Sequence, residues 1–320
     1  MTLTERVKRK ALDLGFQAVG VSRITSDRPE SARLAEWLAC GYQGEMGWMA
    51  RTAAKRKHPA LLLPGIRAIV SLGMNYYTDD HPDDAPGHGR IARYARGKDY
   101  HRVLGERLES LVSFLQAEAP DSRSLAYVDT GAVMEKAWAQ RAGLGWIGKH
   151  SNLVSGQYGS WLLLGEVLTT ADLSPDEPGA DLCGTCTLCI KTCPTGAITE
   201  PYVVDARRCL SYLTIEQKGN IPAEFQPALG NYIFGCDDCL DVCPYNHQAT
   251  PTSEPAFRAT PLTLNPDLDA LGRQSMEEFK AAFHASAVRR ATHEGVRRSV
   301  AIAAKNSRSA QSAPTEDSPR

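Results

Sequence analysis

The chain has 320 residues, 42% of them hydrophobic, enough for two domains with a sizeable core. Its 36 Lys and Arg against 37 Asp and Glu leave a net charge of −1, which excludes binding nucleic acid through global charge but allows a local basic face. Charges from Glu5 to Lys10 and the lack of a run of roughly 18 apolar residues predict a cytoplasmic protein with no membrane span, where nine cysteines point to metal or redox chemistry rather than disulfides.

Residues 3–15 (LTERVKRKALDLG) read as an amphipathic helix closed by Gly15, and QAVGVSRI follows as a strand. Cys40, after an apolar helix in EWLACGYQGEMGW, reads as a small core residue. RAIVSLGMNYY (67–77) and SLAYVDT (124–130) are further strands, with a helical pattern from Asp99 to Glu118 between them. AVMEKAWAQRAGLGWIG predicts a helix stopped at Gly143 or Gly145, and NLVS and GSWLLLGEVLTT complete the sheet. This alternation predicts an α/β or α+β domain over 1–170. ADLSPDEPGADL opens a second domain, 171–250. Residues 251–306 begin as a linker and continue as two helical patterns with basic turns, which must dock because two helices alone bury little. Residues 307–320 are polar and predict a disordered tail.

Cys183, Cys186, Cys189 and Cys193, followed by Pro194, form C-x2-C-x2-C-x3-C-P, a bacterial ferredoxin run whose fourth cysteine serves a neighbouring cluster. Cys236, Cys239 and Cys243 with Pro244 repeat it minus one cysteine, and Cys209 is free to supply that one. The expected wiring is Cys183, Cys186, Cys189 and Cys243 on one 4Fe-4S cluster, with Cys193, Cys209, Cys236 and Cys239 on the other. Two zinc sites are the alternative, though zinc ribbons use separated C-x2-4-C pairs.

No G-x-G-x-x-G follows a strand, and DYHRVLG (99–105) carries one residue too many for a D-x-H-x-x-G corrinoid signature, so His101 reads as a surface residue. Asp129 ends a strand in AYVDTGAVMEK. It is either a helix cap or a general acid whose pKa Leu153 and Leu164 raise. Basic stretches at 51–58, 90–102 and 289–298, interleaved with Tyr94, Tyr100 and His101, suit phosphate contact and stacking on an unpaired base.

YQGEMGWMA, LLPGIRAIVSLGMNYY, RYARGKDYH, EKAWAQRAGLGWIGKHSNL, CGTCTLCIKTCPTGAI, VDARRCLSYLTIEQKG and GNYIFGCDDCLDVCPYN, in this order, resemble the epoxyqueuosine reductases over nearly the whole chain. The resemblance implies an α+β protein with an N-terminal cobalamin-binding domain, a ferredoxin-like two-cluster domain and a short HEAT-like helical segment. It further implies a monomer that reduces epoxyqueuosine in a tRNA anticodon stem-loop, using cobalamin fed through two 4Fe-4S clusters by an external low-potential donor. By that resemblance Asp129 is the proton donor, and Arg56, Ala92, Asp129, Leu153, Leu164 and Ser211 line the cobalamin. Arg289, Arg290, Arg297 and Arg298 are the candidate tRNA grip. The competing readings are a cobalamin-dependent reductase of a small molecule and a two-cluster electron-transfer module.

Overall fold

The computed structural model describes residues 1–25, 28–83 and 85–312. Helix α1 (Leu3–Asp13) starts at a capping box, in which Thr2 and Glu5 satisfy each other's backbone N–H, and its chain turns at Gly15 with φ +90°. Strand β1 (Ala18–Arg23) follows. Helix α2 (Pro29–Ala39) buries only Leu34, so Cys40 at its C-terminal end is exposed and is not a core residue as expected. Short helix α3 (Ala53–Lys57) leads to β2 (Ala68–Asn75), all eight of whose residues are buried.

Helix α4 (Tyr100–Glu118) is capped by Asp99 and lays Leu104, Leu108, Leu111 and Leu115, each fully buried, along one stripe against the sheet. Strands β3 (Ser124–Tyr127) and β4 (Leu162–Thr169) complete a sheet of order β1-β2-β4-β3. Every pairing in it is antiparallel, which makes the domain α+β. Helix α5 (Glu135–Arg141) sits on the opposite face from α4's leucines. Its chain comes so close to β1 that a Cβ on Gly20 would stand 1.9 Å from the Ala142 carbonyl oxygen. The NLVS segment does not join the sheet. Leu153–Val154 pairs instead with Trp146–Ile147 in a separate ribbon, because the Gly148–Ser151 turn folds it straight back.

The cysteine region carries three short helices, α6 (Leu188–Thr192), α7 (Leu210–Ile215) and α8 (Asp238–Asp241). It interlocks with the first 170 residues: Arg90–Ile91 pairs in parallel with Tyr232–Phe234, and Leu240 and Phe257 join the main core. Part of the stretch read as a linker forms short helices at Pro261–Leu264 and Leu268–Arg273. The last helix, α9 (Thr292–Ser312), packs Val296, Val300 and Ala303 against Ile91, Ile233 and Phe234. It runs past 306, so the expected tail is helical as far as Ser312, and 313–320 lie outside the described residues. Among the described residues no helix is long and apolar enough to cross a membrane.

Candidate functional site

Two cavities adjoin between the sheet, the cysteine region and α4. The inner one, of about 450 Å³, has Leu153, Leu162 and Leu164 on one side and Cys193, Cys209, Cys236 and Cys239 on the other. The outer one, of about 760 Å³, opens past Trp48, His101 and Arg290. Asp129, Tyr94, Tyr100, Asn152, Cys209 and Ser211 border both.

The eight clustered thiols divide into two sets. Cys189 and Cys243 each feel the charges of Cys183 and Cys186, and Cys189 also feels Cys243. Cys236 and Cys239 each feel Cys209; Cys239 also feels Cys193. Motif spacing expects the same grouping, and Cys239 also feels Cys189 across it; of the two cavities, the inner one is bordered by Cys193, Cys209, Cys236 and Cys239 and the outer one by Cys209. Among the described residues no three His, Cys, Asp or Glu side chains close around one point as a single tetrahedral ion demands. Burial raises the pKa values of Cys189, Cys209, Cys236, Cys239 and Cys243, so these thiols need a cationic ligand to ionise. Soft donors in fours, carried on loops and on the short helices α6 and α8, fit iron–sulfur clusters. The loops are held by other groups: Lys149 donates to the carbonyls of Gly184 and Cys186 at 2.6 and 2.9 Å. The Ala197 N–H donates to Cys193 Sγ at 3.2 Å, and Trp146 Nε1 to Cys183 Sγ at 3.5 Å.

Asp129 lies just beyond β3, with φ +52°. It caps nothing: α5 begins after Met134 without a side-chain cap. His101 Nε2 stands 3.3 Å from Asp129 Oδ2, while its Nδ1 stands 2.7 Å from Asp99 Oδ1. An imidazole between two carboxylates donates from both nitrogens and so carries a proton; hydrogen bonds to Asp129 first and Asp99 second push its pKa up to about 9. For Asp129, burial works upward, but the His101 hydrogen bond and charge, with a Tyr100 hydrogen bond, prevail and hold the carboxyl below its usual range. The expectation of a pKa raised by Leu153 and Leu164 is therefore corrected, because a half-buried cation hydrogen-bonded to the carboxylate outweighs apolar walls.

His101 is not the surface residue expected from its sequence, since it borders the outer cavity and meets Asp129. The sequence signal for this is Asp99 as helix cap, which fixes His101 in the first turn of α4, aimed at the end of β3. Also unexpected are Glu135 and His150, which border the inner cavity. Burial lifts Glu135 to about 7 and drops His150 to about 4.

Of the candidate cofactor residues, Leu153, Leu164, Asp129 and Ser211 border the inner cavity. Ala92 borders neither; it is buried, its N–H given to the Phe234 carbonyl. Arg56 reaches the outer cavity but spends its guanidinium on the carbonyls of Gly131 and Val133. Of the four candidate tRNA-gripping arginines, Arg298 donates inward to the carbonyls of Leu213, Gln217 and Gly219, and Arg290 forms a bidentate pair with Glu216. Helix α9 turns Arg298 inward because its apolar face docks on the core, and Arg290 sits in the 3-10 turn Ala287–Ala291 just before it.

Two family models match the chain. One, described as epoxyqueuosine reductase QueG, DUF1730, matches residues 56–130; the other, a 4Fe-4S double cluster binding domain, matches 182–246. An epoxyqueuosine reductase of Synechocystis is 45% identical over 276 residues, 85% of this chain and 95% of its own. A solved epoxyqueuosine reductase with a tRNA-Tyr epoxyqueuosine-modified stem loop is 33% identical, with a TM-score of 0.90 over 97% of this chain and 82% of that one. A Bacillus subtilis epoxyqueuosine reductase, solved with its catalytic loop swung out of the active site, is 31% identical with a TM-score of 0.88 over the same shares. Sequence identity across nearly the full length, the matching backbone and the paired cysteine sets agree: this chain belongs to the epoxyqueuosine reductase family.

Proposed function

We propose that this protein reduces the epoxide of epoxyqueuosine in a tRNA anticodon loop to the cyclopentene of queuosine. The observation that carries this reading is the inner cavity: four thiols of one set border one side, and Asp129, backed by His101, borders the mouth. An electron source and a proton source face the same space. The overall change takes two electrons and two protons, breaks both carbon–oxygen bonds of the epoxide, and releases water.

Cys183, Cys186, Cys189 and Cys243 would hold one 4Fe-4S cluster and Cys193, Cys209, Cys236 and Cys239 the other, and a corrinoid bound in the inner cavity would supply the two-electron reduction. Leu153, Leu162 and Leu164 would give that ring an apolar bed, and Ser211 borders the same cavity as Cys209. Residues 1–170 carry this bed and the acid, 171–250 the clusters, and 251–306 the helices that brace them. In the resting protein the proton sits on His101 Nε2. As negative charge develops on the epoxide oxygen, the proton moves from His101 Nε2 to Asp129 Oδ2 and from there to that oxygen, and the second proton that release of water requires is taken up from solvent by the same pair. The loop 128–134 corresponds, in this reading, to the catalytic loop of the Bacillus subtilis relative. The donor of electrons is an external low-potential protein or reductant, and the enzyme works as a cytoplasmic monomer.

The test is anaerobic reconstitution with iron, sulfide and cobalamin, followed by nucleoside mass analysis of an epoxyqueuosine-containing stem-loop. Loss of one oxygen atom per modified base is expected. Full cluster content and corrinoid uptake with no such loss, alongside turnover of an organohalide, would replace the reading with the small-molecule one.

A further inference from the structure

The chain between β3 and α5 lies in neither strand nor helix, so its backbone groups lack ladder or helical partners. Within it Asp129 holds φ +52°, a conformation that non-glycine residues keep only where the surroundings impose it. Three contacts do so. Gly131 lies under the Tyr127 ring, where a Cβ would approach to 2.4 Å. Asp129 meets His101. The third contact is Arg56, whose NH1 donates to the Val133 carbonyl at 2.6 Å and whose NH2 donates to the Gly131 carbonyl at 3.1 Å.

Arg56 is only 6% exposed, and its setting leaves little of it for a ligand. Its Nε donates to Thr52 Oγ1 at 3.1 Å, and the guanidinium lies over the Trp48 ring, 5.3 Å from the centroid. Thr52 is itself fixed, because its hydroxyl donates to the Trp48 carbonyl at 2.8 Å. Glu135 and Asp129 supply the negative charge that a buried guanidinium needs. A planar fork that grips two carbonyls two residues apart sets both position and orientation of the loop, which a lysine's point charge cannot do.

We propose that Arg56 is a positioning residue: its fork clamps the loop through Gly131 and Val133 and thereby holds Asp129 against His101 at the cavity mouth. The proposal rests on the reading of Asp129 as proton donor, and its test separates the two. In apo protein, the His101 ring is titrated by NMR in wild type, Arg56→Gln and Asp129→Asn. His101 is faced by Asp99 and Asp129, and Asp129 also by Tyr100 and Arg290, so only loss of Asp129 lowers the midpoint while Asp99 stays. Arg56→Gln is expected to lower the midpoint as far as Asp129→Asn does. In the loaded enzyme it should cut kcat on the order of 10²-fold, the cost of a misplaced reacting group, with KM for the stem-loop unchanged. Arg56→Lys should recover part of both.

Should Arg56→Gln fold poorly, Thr52→Val frees the Nε without removing the buried charge and should shift the midpoint in the same direction by less. An unchanged His101 midpoint in these variants overturns the clamp, and unchanged midpoint with lost corrinoid uptake makes Arg56 a cofactor contact instead. A lowered midpoint with wild-type kcat upholds the clamp and removes Asp129 from the chemistry.

Discussion

Replacing Asp129 by Asn removes a charge while keeping the side chain's shape, so its effects report the His101–Asp129 pair. The rise of the His101 pKa from 6.5 to about 9 has Asp129 as its first cause. At roughly 1.4 kcal/mol per pKa unit, the whole shift amounts to about 3 kcal/mol. Asp129 is 62% exposed and His101 32%, and Asp99 shares the effect, so screening leaves about 1 kcal/mol for the pair in folding. Because the histidine pKa is raised on folding, this stabilisation is fully present below pH 6.5 and is lost as pH rises through 9. Urea unfolding should find Asp129→Asn about 1 kcal/mol weaker than wild type at pH 6, with the difference gone at pH 10. Turnover of the stem-loop should fall by a factor on the order of 10²–10⁴, the usual worth of a general acid, with clusters and corrinoid still bound. Wild-type turnover, or an equal stability loss at both pH values, would refute the pair as a proton store.

Cys209→Ser should lose one cluster and keep the other, read as about half the iron and sulfide; retention of both would break the wiring. Glu135, lifted to about 7 by burial, binds its proton more tightly folded than unfolded, so it costs stability as pH rises through 7. Glu135→Gln should therefore match wild type at pH 4 and exceed it by about 2 kcal/mol at pH 8 in urea titrations. Arg298→Gln leaves three inward carbonyls without their donor and should cost about 2 kcal/mol of stability. It should leave the salt dependence of tRNA binding unchanged, whereas neutralising the exposed Arg297 should flatten that dependence by about one phosphate contact.

What the sequence made legible was chemistry whose geometry is local. A cubane takes three thiolates from one short loop, so C-x2-C-x2-C records the fold directly, and Asp99 to Glu118 shows its helix through a four-leucine stripe and its cap. Pairings made at long range left no such mark. His101 and Asp129 are 28 residues apart, and nothing in DYHRVLG or AYVDTG announces that an imidazole will face the strand's end. Arg298 looked like one of four equivalent basic residues until α9's docking face turned it onto the Leu213 to Gly219 carbonyls. Leu153 and Val154 have strand-forming side chains, but the turn before them decides which strand they meet.

The same distinction explains why the site stands where it does. Cys193 and Cys209 are sixteen residues apart and belong to neither half-motif's C-x2-C core, yet both border the inner cavity with Cys236 and Cys239. In the proposed wiring the motifs cross, and the cysteines that border the inner cavity are those of the second set. The proposed proton pair, His101 and Asp129, is carried by α4's first turn and the loop after β3. In that arrangement Asp129 and Cys209 border the same two cavities. The arrangement requires the loop after β3 to be held at a fixed depth, and the buried fork of Arg56, rooted in α3 and outside both the sheet and the cysteine region, is the group positioned to hold it.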